Sequence, residues 1–224
     1  MKLYLSSYGI GNDPQKFTTL IGANKRTAVI ANAWDLSPVE ERSGGLPAKI
    51  DGLRALGLEP EELDLRRYFV PHKSLKQKLE EFGALWILGG NSFVLLRAMN
   101  MSGFTNCIGQ LLADTELVYA GYSAGAVVAT PDLHGIEFVD DPVAAPDGYD
   151  KKTPWEGLGL VGFRIAPHYR SDHPESEACE KVVEYFENRK LTYTALQDGE
   201  AIVVHNKSVE VVGKPPQDIG SLLK

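Results

Sequence analysis

Short apolar runs alternate with longer amphipathic segments through the first half of the chain, and few folds accommodate that pattern. Four runs rich in β-branched or aliphatic residues are predicted to be strands, at residues 3–6, 27–31, 62–65 and 84–88. Strands that are apolar throughout and are separated by helices are typical of βαβ units around a buried parallel sheet. The predicted fold class is therefore α/β, a mostly parallel sheet with helices on both faces.

Helices are predicted between these strands, one after Pro14, one over residues 47–56 and one over residues 74–82. Gly57 and Gly83 follow the last two helices. Both positions suit a left-handed C-cap, which favours a residue without Cβ.

The pattern continues with a fifth strand at residues 117–120 and a helix over residues 124–129 that Pro131 ends. Residues 131–155 are rich in Pro, Gly and Asp, with one strand-like piece at 136–139, and are a candidate cover for a site. After this loop the sequence predicts a strand at 160–166, a helix over 174–188 and an antiparallel meander of strands at 192–196, 201–204 and 209–212 that closes the sheet.

Length and composition restrict the function. A chain of 224 residues can bury a self-sufficient core, and without a repeat or linker it predicts one domain over residues 1–224. Its formal net charge of −7 disfavours nucleic acid and anionic membranes as partners. Cys107 and Cys179 lack C-x-x-C spacing, so neither a disulfide framework nor a zinc site is indicated. With no apolar run of ~18 residues and no signal peptide core, a cytoplasmic location is expected.

The pentapeptide Gly121-Tyr122-Ser123-Ala124-Gly125 lies between the fifth predicted strand and its helix. This is the setting of the G-x-S-x-G nucleophile elbow, in which the glycines permit a sharp turn and the serine projects at the carboxyl end of the sheet. Ser123 is therefore the candidate nucleophile, and the Ala124 amide at the helix N-terminus is a candidate oxyanion donor. The same pattern also occurs in phosphate-binding turns and in turns that only serve packing.

A second glycine-rich turn, Leu88-Gly89-Gly90-Asn91-Ser92-Phe93, follows the strand before it. Its glycines let the backbone approach a ligand, and Asn91 or Ser92 can cap the next helix. The Gly90 amide is the natural second oxyanion donor. A tight strand-to-helix turn without a ligand is an equally available interpretation.

A serine nucleophile needs a base, and His168 is the candidate because Pro167 ends the strand before it and leaves it at the same sheet edge as the other candidates. His173 is expected to cap the next helix. A metal site of His168, His173 and Asp172 has no supporting motif, so no metal is predicted. The chain has five histidines, His72, His134, His168, His173 and His205.

The base needs an acidic partner, and Asp198 lies at a later strand end. The resulting order is Ser, His, acid, whereas α/β-hydrolases have Ser, acid, His, which argues against lipases and esterases. The acids that precede His168 follow too closely after the elbow to come from a late strand; they are Asp132, Asp140 and Asp141.

Four ordered motifs resemble those of the peptidase E (aspartyl dipeptidase) family of serine peptidases. They are Gly89-Gly90-Asn91-Ser92-Phe93, Gly121-Tyr122-Ser123-Ala124-Gly125-Ala126, Ala166-Pro167-His168-Tyr169 and Leu196-Gln197-Asp198-Gly199. The resemblance implies a fold related to class I glutamine amidotransferases, with serine in the place of their nucleophilic cysteine. It also implies a triad of Ser123, His168 and an acid; family members often carry Glu where this chain has Asp198.

The resemblance implies a peptidase that acts on short peptides, with N-terminal aspartate as the family's preference and no cofactor. Family members hold that aspartate with basic residues, including an Arg in the helix after the catalytic His, but residues 171–177 contain no Arg. Arg164, Arg170 and Asn91 are therefore the candidate substrate-binding residues. The expected partner is a small peptide, and the expected state is a monomer or homodimer. Two alternatives stay open, a cyanophycinase-like or other amide hydrolase with the same triad, and an inactive relative that binds a peptide or metabolite.

Overall fold

A computed structural model describes residues 1–70, 74–206 and 208–214 of the chain. Seven of the strands in this part form one sheet, in the order β3-β2-β4-β5-β1-β8-β9, and β6 and β7 form a second sheet. The strands are β1 (Lys2–Ser6), β2 (Arg26–Ile30), β3 (Glu59–Glu62), β4 (Ala84–Ile87), β5 (Val118–Tyr122), β6 (Arg164–Ala166), β7 (Tyr193–Ala195), β8 (Ala201–His205) and β9 (Ser208–Val212).

Strands β3, β2, β4, β5 and β1 run parallel, and β8 and β9 add an antiparallel edge beside β1. The helices of the described residues are α1 (Pro14–Leu20), α2 (Val39–Ala55), α3 (Leu75–Leu79), α4 (Ser92–Met101), α5 (Phe104–Asp114), α6 (Ala124–Val127) and α7 (Ser176–Asn188). The predicted fold class, a mostly parallel sheet with antiparallel strands at its C-terminal end, is confirmed.

Helices cover both faces of the large sheet because side chains alternate between the faces along each buried strand. Leu3 and Leu5 of β1 belong to an apolar cluster with residues of α3 to α7, whereas Tyr4 belongs to a second cluster with Phe17 of α1 and Leu53 of α2. Both clusters are almost fully buried. The sheet is therefore the middle of three layers, and its carboxyl edge is where loops between the layers meet.

The third predicted strand, at residues 62–65, is wrong in position. β3 occupies Glu59–Glu62, and a 3-10 helix follows at Leu65–Tyr68. β3 is an edge strand in which only Pro60 is buried, so its sequence lacks the apolar run of a central strand. The buried Leu63 and Leu65, which suggested the strand, pack into the core after it ends.

The helix predicted over residues 47–56 is longer than expected, since α2 begins at Val39 and contains Pro47. Glu40 and Glu41 lie in its first turn, where acidic side chains favour a helix start. Gly57 ends it with a φ of 79°, as the C-cap interpretation requires.

Gly83, by contrast, is not a left-handed cap, because α3 already ends at Leu79 and the φ of Gly83 is not positive. A Cβ on Gly83 would lie 1.9 Å from the carbonyl oxygen of Asn24. Close approach of two backbone segments, and not a helix end, is what requires glycine here.

Of the strands predicted in the second half, one is wrong, one is shorter and one is present but pairs differently. Residues 136–139 form a 3-10 helix at Ile136–Phe138, and the strand at 160–166 is reduced to β6. The strand at 192–196 is not part of a meander, because β7 pairs in parallel with β6. β6, α7 and β7 thus form a separate βαβ unit, for which parallel pairing is the rule. No helix in the described part of the chain is long and apolar enough to cross a membrane.

Candidate active site

Ser123 lies between β5 and α6 with a φ of 48° and a ψ of −116°, a backbone conformation that residues other than glycine rarely adopt. Its amide donates to the carbonyl oxygens of Ser6 and Ser7, at 3.1 and 3.0 Å, just after β1. These bonds hold the strained turn against the neighbouring strand. Strain of this kind is a property of the nucleophile elbow, where it exposes the serine hydroxyl at the sheet edge.

Both glycines of the elbow pack against β4. A Cβ on Gly121 would lie 2.9 Å from the carbonyl oxygen of Ile87, and a Cβ on Gly125 would lie 2.4 Å from the same atom. Neither clash can be relieved by a side-chain rotation, because the contacted atom belongs to the backbone. Close contact of the elbow with β4 therefore accounts for glycine at both positions.

The second glycine-rich turn lies against Ser123. A Cβ on Gly89 would be 3.0 Å from the Cβ of Ser123, and Gly90 has a φ of 125°. Among the described residues, the amides of Gly90 and Ala124 donate to no protein acceptor. Unengaged amides are what an oxyanion hole needs, and these two belong to the two turns that meet at Ser123.

Asn91 caps α4, as one interpretation of its position predicted. Its Oδ1 accepts from the Val94 amide at 2.9 Å, and its Nδ2 donates to the carbonyl oxygen of Asp141 at 3.2 Å. The Asn91 side chain thus links the helix start to the 131–155 loop.

His168 is almost completely buried after β6, and its Nδ1 lies 2.7 Å from Oδ1 of Asp198. Ser7 joins the two residues, because its hydroxyl donates to Asp198 Oδ1 and accepts from the His168 amide, each at 2.8 Å. The Asp198 amide in turn donates to the Ser171 hydroxyl at 2.8 Å. Acid and imidazole are therefore fixed by partners at both the side chains and the backbone.

Burial lowers the pKa of His168 below its usual value, against the opposing effect of Asp198. A neutral imidazole that donates from Nδ1 to Asp198 has its lone pair on Nε2. His168 can accept a proton at Nε2, as a general base must.

Nε2 of His168 faces Glu175, whose Oε2 is 3.8 Å away. Ser123 and Glu175 line one narrow cleft together with Asp140, Pro167 and Cys179, and with the apolar side chains of α6, α7 and the 131–155 loop. Ser123 Oγ does not hydrogen-bond His168 in this structure. The structure thus brings His168 and Asp198 into contact and places Ser123 in the cleft beside them, without the third contact.

Asp140 is the one acid of the 131–155 loop that enters this cleft. It accepts from the Ser92 amide at 2.8 Å, and burial raises its pKa to about 6. The loop is fastened nearby, because Arg97 donates to the carbonyl oxygens of Pro142 and Asp150, each at 2.9 Å. The loop therefore forms a fixed wall of the cleft.

His173 stacks on His168, with ring centroids 3.7 Å apart and an interplanar angle of 7°. Its Nδ1 accepts from the Glu175 amide at 3.2 Å in the turn before α7. The N-cap of α7 is Glu175, which has no side-chain cap bond, so the predicted capping of this helix by His173 is wrong. Nitrogen and oxygen atoms of His168, His173 and Asp198 lie within 4.8 Å of one another, which is close enough to hold a metal ion. However, both Nδ1 atoms have hydrogen-bond partners, and cofacial rings do not direct their remaining lone pairs to one point.

The other histidines lie elsewhere. His134 stacks on Trp155 within the loop, and His205 ends β8 in an exposed position. His72 lies outside the described residues.

The two candidate arginines do not line the cleft. Arg164 lies at the start of β6 and binds both carboxylate oxygens of Asp132. Arg170 is exposed, with its guanidinium carbon 4.8 Å from the centre of the Tyr169 ring.

Sequence reasoning missed Ser7 and the position of Glu175. Ser7 could have been found, because it follows an apolar strand at the same sheet edge as the other candidates. Glu175 gives no local signal. It is one acid among several at the start of α7, and only the packing of that helix against His168 distinguishes it.

The family model described as Peptidase family S51 matches residues 37–212. An uncharacterized peptidase of Listeria monocytogenes is 31% identical over 173 residues, which cover 77% of this chain and 80% of that protein. A probable alpha-aspartyl dipeptidase of Drosophila melanogaster is 33% identical over 143 residues, 62% of this chain and 56% of that protein. The crystal structure of a candidate peptidase E protein from Listeria monocytogenes superposes with a TM-score of 0.75 at 27% identity, covering 96% of this chain and 98% of that one.

Proposed function

The chain belongs to peptidase family S51, and from this membership we propose that it is a serine peptidase that hydrolyses short peptides through an acyl-enzyme. In this proposal Ser123 is the nucleophile, His168 the general base and Asp198 the acid that orients it. The observation that carries the proposal is the elbow at Ser123, which lines a cleft together with Glu175, whose carboxylate lies 3.8 Å from Nε2 of an imidazole that is bound to Asp198 through Nδ1.

In the proposed first half-reaction, Ser123 Oγ attacks the scissile carbonyl carbon while its proton passes to His168 Nε2. The resulting oxyanion accepts from the amides of Gly90 and Ala124, which have no other acceptor among the described residues. His168 then protonates the leaving amine, and the carbon–nitrogen bond breaks. Apo structures often have long catalytic hydrogen bonds, so the Ser123–His168 contact is expected to form with substrate.

In the second half-reaction, a water molecule attacks the acyl carbon and gives its proton to His168 Nε2. The carbon–oxygen bond to Ser123 breaks, the serine regains the proton, and the acid product leaves. Throughout the cycle Asp198 stabilises the transient imidazolium. None of these steps calls for a metal or an organic cofactor.

Short peptides are proposed as substrates for two reasons. Relatives bear the names peptidase E and alpha-aspartyl dipeptidase. The 131–155 loop also forms one wall of the cleft, with Asp140 in that wall, and leaves a cavity of about 10 Å³ beside Ser123, which favours small substrates. Of the three candidate substrate-binding residues, Arg170 is the one free to turn toward a ligand, because Arg164 would have to leave Asp132 and Asn91 would have to give up its cap.

The test is hydrolysis of a dipeptide panel by the purified protein, with Ser123→Ala as the matched control. The proposal expects turnover that disappears in Ser123→Ala, survives a chelator and is blocked when a fluorophosphonate labels Ser123. Activity that persists in Ser123→Ala, or that a chelator removes, contradicts the mechanism. Cleavage of β-aspartyl peptides alone indicates another amide hydrolase, and a folded protein that the probe does not label indicates a binding protein.

A further inference from the structure

We propose that the Glu175 carboxylate binds an ammonium group of the substrate, so that the enzyme selects peptides with a free amino terminus. This inference rests on the proposed function, because it assigns a role to a residue of the same cleft. Glu175 lies at the start of α7, and its side chain is 44% exposed, so a ligand can reach its carboxylate. The carboxylate also faces the proposed general base, with Oε2 3.8 Å from His168 Nε2.

The charge around Glu175 is uncompensated within the cleft. Among the described residues no lysine or arginine nitrogen lies within 4.0 Å of its carboxylate, and its ion-pair neighbours are His168 and His173. Burial keeps the pKa of His168 low, so this neighbour does not supply a standing positive charge at neutral pH. Asp140 brings a second carboxyl group into the same cleft, and no basic side chain lines it. A cationic substrate group is the partner that this arrangement lacks.

Distances fit an ammonium at the first residue of a peptide. The α-nitrogen is about 2.5 Å from the carbonyl carbon of its own residue, and a carboxylate oxygen that binds it lies about 2.8 Å further. The nucleophile starts about 3 Å from that carbon, and its base lies about 3 Å from the nucleophile. These four distances set an upper limit on the separation of the base from a carboxylate oxygen that binds the amino terminus, and the 3.8 Å between His168 Nε2 and Glu175 Oε2 lies within that limit.

The same geometry disfavours an acidic side chain on the first residue unless another group binds it. An aspartate in that position would bring a third carboxylate next to Glu175 and Asp140. The ammonium itself has two sources, the α-amino group of any peptide or the side chain of a lysine. The experiment must separate them.

Binding is measured first in the Ser123→Ala background, where it does not depend on turnover. The probes are Ala-Leu and N-acetyl-Ala-Leu, titrated by calorimetry into Ser123→Ala alone and into the same protein with Glu175→Gln or Glu177→Gln. Glu177 is the matched control, since it lies two residues further along the chain and its exposed side chain is beside Lys181 and outside the cleft. A charge-assisted hydrogen bond predicts that Ala-Leu binds about 10- to 100-fold more tightly than its acetylated form, and that Glu175→Gln alone removes this preference.

The ratio of the two affinities isolates recognition of the amine. Any effect of Glu175→Gln on the His168 imidazole applies equally to both peptides, and steric exclusion of the acetyl group would persist in the Gln variant. The preference should also fade above about pH 8, where the α-amino group loses its proton. A preference that Glu175→Gln leaves intact, or equal binding of both peptides by the parent protein, overturns the proposal.

N-acetyl-Lys-Leu identifies the source of the cation. If it binds more tightly than N-acetyl-Ala-Leu, and Glu175→Gln abolishes the difference, the lysine side chain is the ligand and the free amino terminus is not. Hydrolysis of the same peptides by the active enzyme then tests the proposed function separately. Loss of binding in Glu175→Gln with no turnover by the parent enzyme would refute the peptidase proposal and leave the recognition site standing.

Discussion

Asp140 should make the protein less stable as the pH rises, and Asp140→Asn should remove that dependence. The carboxyl group lies among apolar cleft residues such as Ile136 and Val139 and accepts from the Ser92 amide. Burial raises its pKa from 3.8 to about 6 in the folded protein. Between these two values the folded state binds more protons than the unfolded state, so the free energy of unfolding falls as the pH rises through this window.

The size of the effect follows from the difference in pKa. A rise from 3.8 to about 6 corresponds to about 3 kcal/mol, as an upper limit, fully lost above about pH 7. Asparagine has nearly the same shape, and its side-chain oxygen can still accept from the Ser92 amide. Asp140→Asn should therefore match the parent protein in stability near pH 4 and exceed it by about 1–3 kcal/mol at pH 7.5.

Urea unfolding followed by tryptophan fluorescence at pH 4.5, 6 and 7.5 provides the measurement, with the slope against urea as a check that both proteins unfold alike. Asp141→Asn is the control, because it makes the same change of formal charge at an exposed neighbour outside the cleft. The stability difference between Asp140→Asn and the parent must grow with pH. If it is constant from pH 4.5 to 7.5, or if Asp141→Asn gives the same trend, the reasoning fails.

Two further substitutions test the residues that hold the site in place. Ser7→Ala removes a donor to Asp198 and leaves the buried His168 amide without its acceptor. The free energy of unfolding in urea should fall by about 1–3 kcal/mol, and kcat should fall with little change in KM. An unchanged kcat would show that Ser7 does not position His168 and Asp198. Gly125→Ala places a Cβ 2.4 Å from a β4 carbonyl oxygen and should lower the melting temperature sharply or prevent folding. Gly52→Ala is the control, because Gly52 lies in α2 and a Cβ there would meet no atom within 4 Å; this substitution should stabilise the protein by about 0.5–1 kcal/mol. Equal effects of the two substitutions would contradict the packing argument.

The central strands could be predicted from sequence because burial on both faces leaves a continuous apolar run. β1, β2, β4 and β5 were each located within about two residues for that reason. β3 could not be, since an edge strand of sequence Glu-Pro-Glu-Glu has a single buried residue and carries no such run. The partner of β7 was also missed, because residues 192–196 resemble an antiparallel strand until α7 brings them beside β6.

The candidate site also contains residues that the sequence predicts and one that it does not. The elbow at Ser123 and the turn at Gly90 are local sequence motifs, so the spacing of residues and the glycine content suffice to find them. His168 and Asp198 required the further argument that strand ends meet at one sheet edge. Glu175 could not be found by either route, because its position next to Nε2 depends on how a whole helix packs.

The net charge of −7 and the charge of the cleft affect different kinds of binding partner. Net charge acts over long distances and bears on extended polyanions, whose many phosphates meet the whole surface. A small zwitterionic peptide meets only the few groups around the proposed nucleophile, and there the chain presents Glu175 and Asp140, with Arg164 bound to Asp132 and directed elsewhere. The missing Arg in residues 171–177 is thus accompanied by a carboxylate facing the imidazole. Under the proposal made above, a carboxylate at that place attracts the amino end of a peptide, and the composition of the whole chain does not register this.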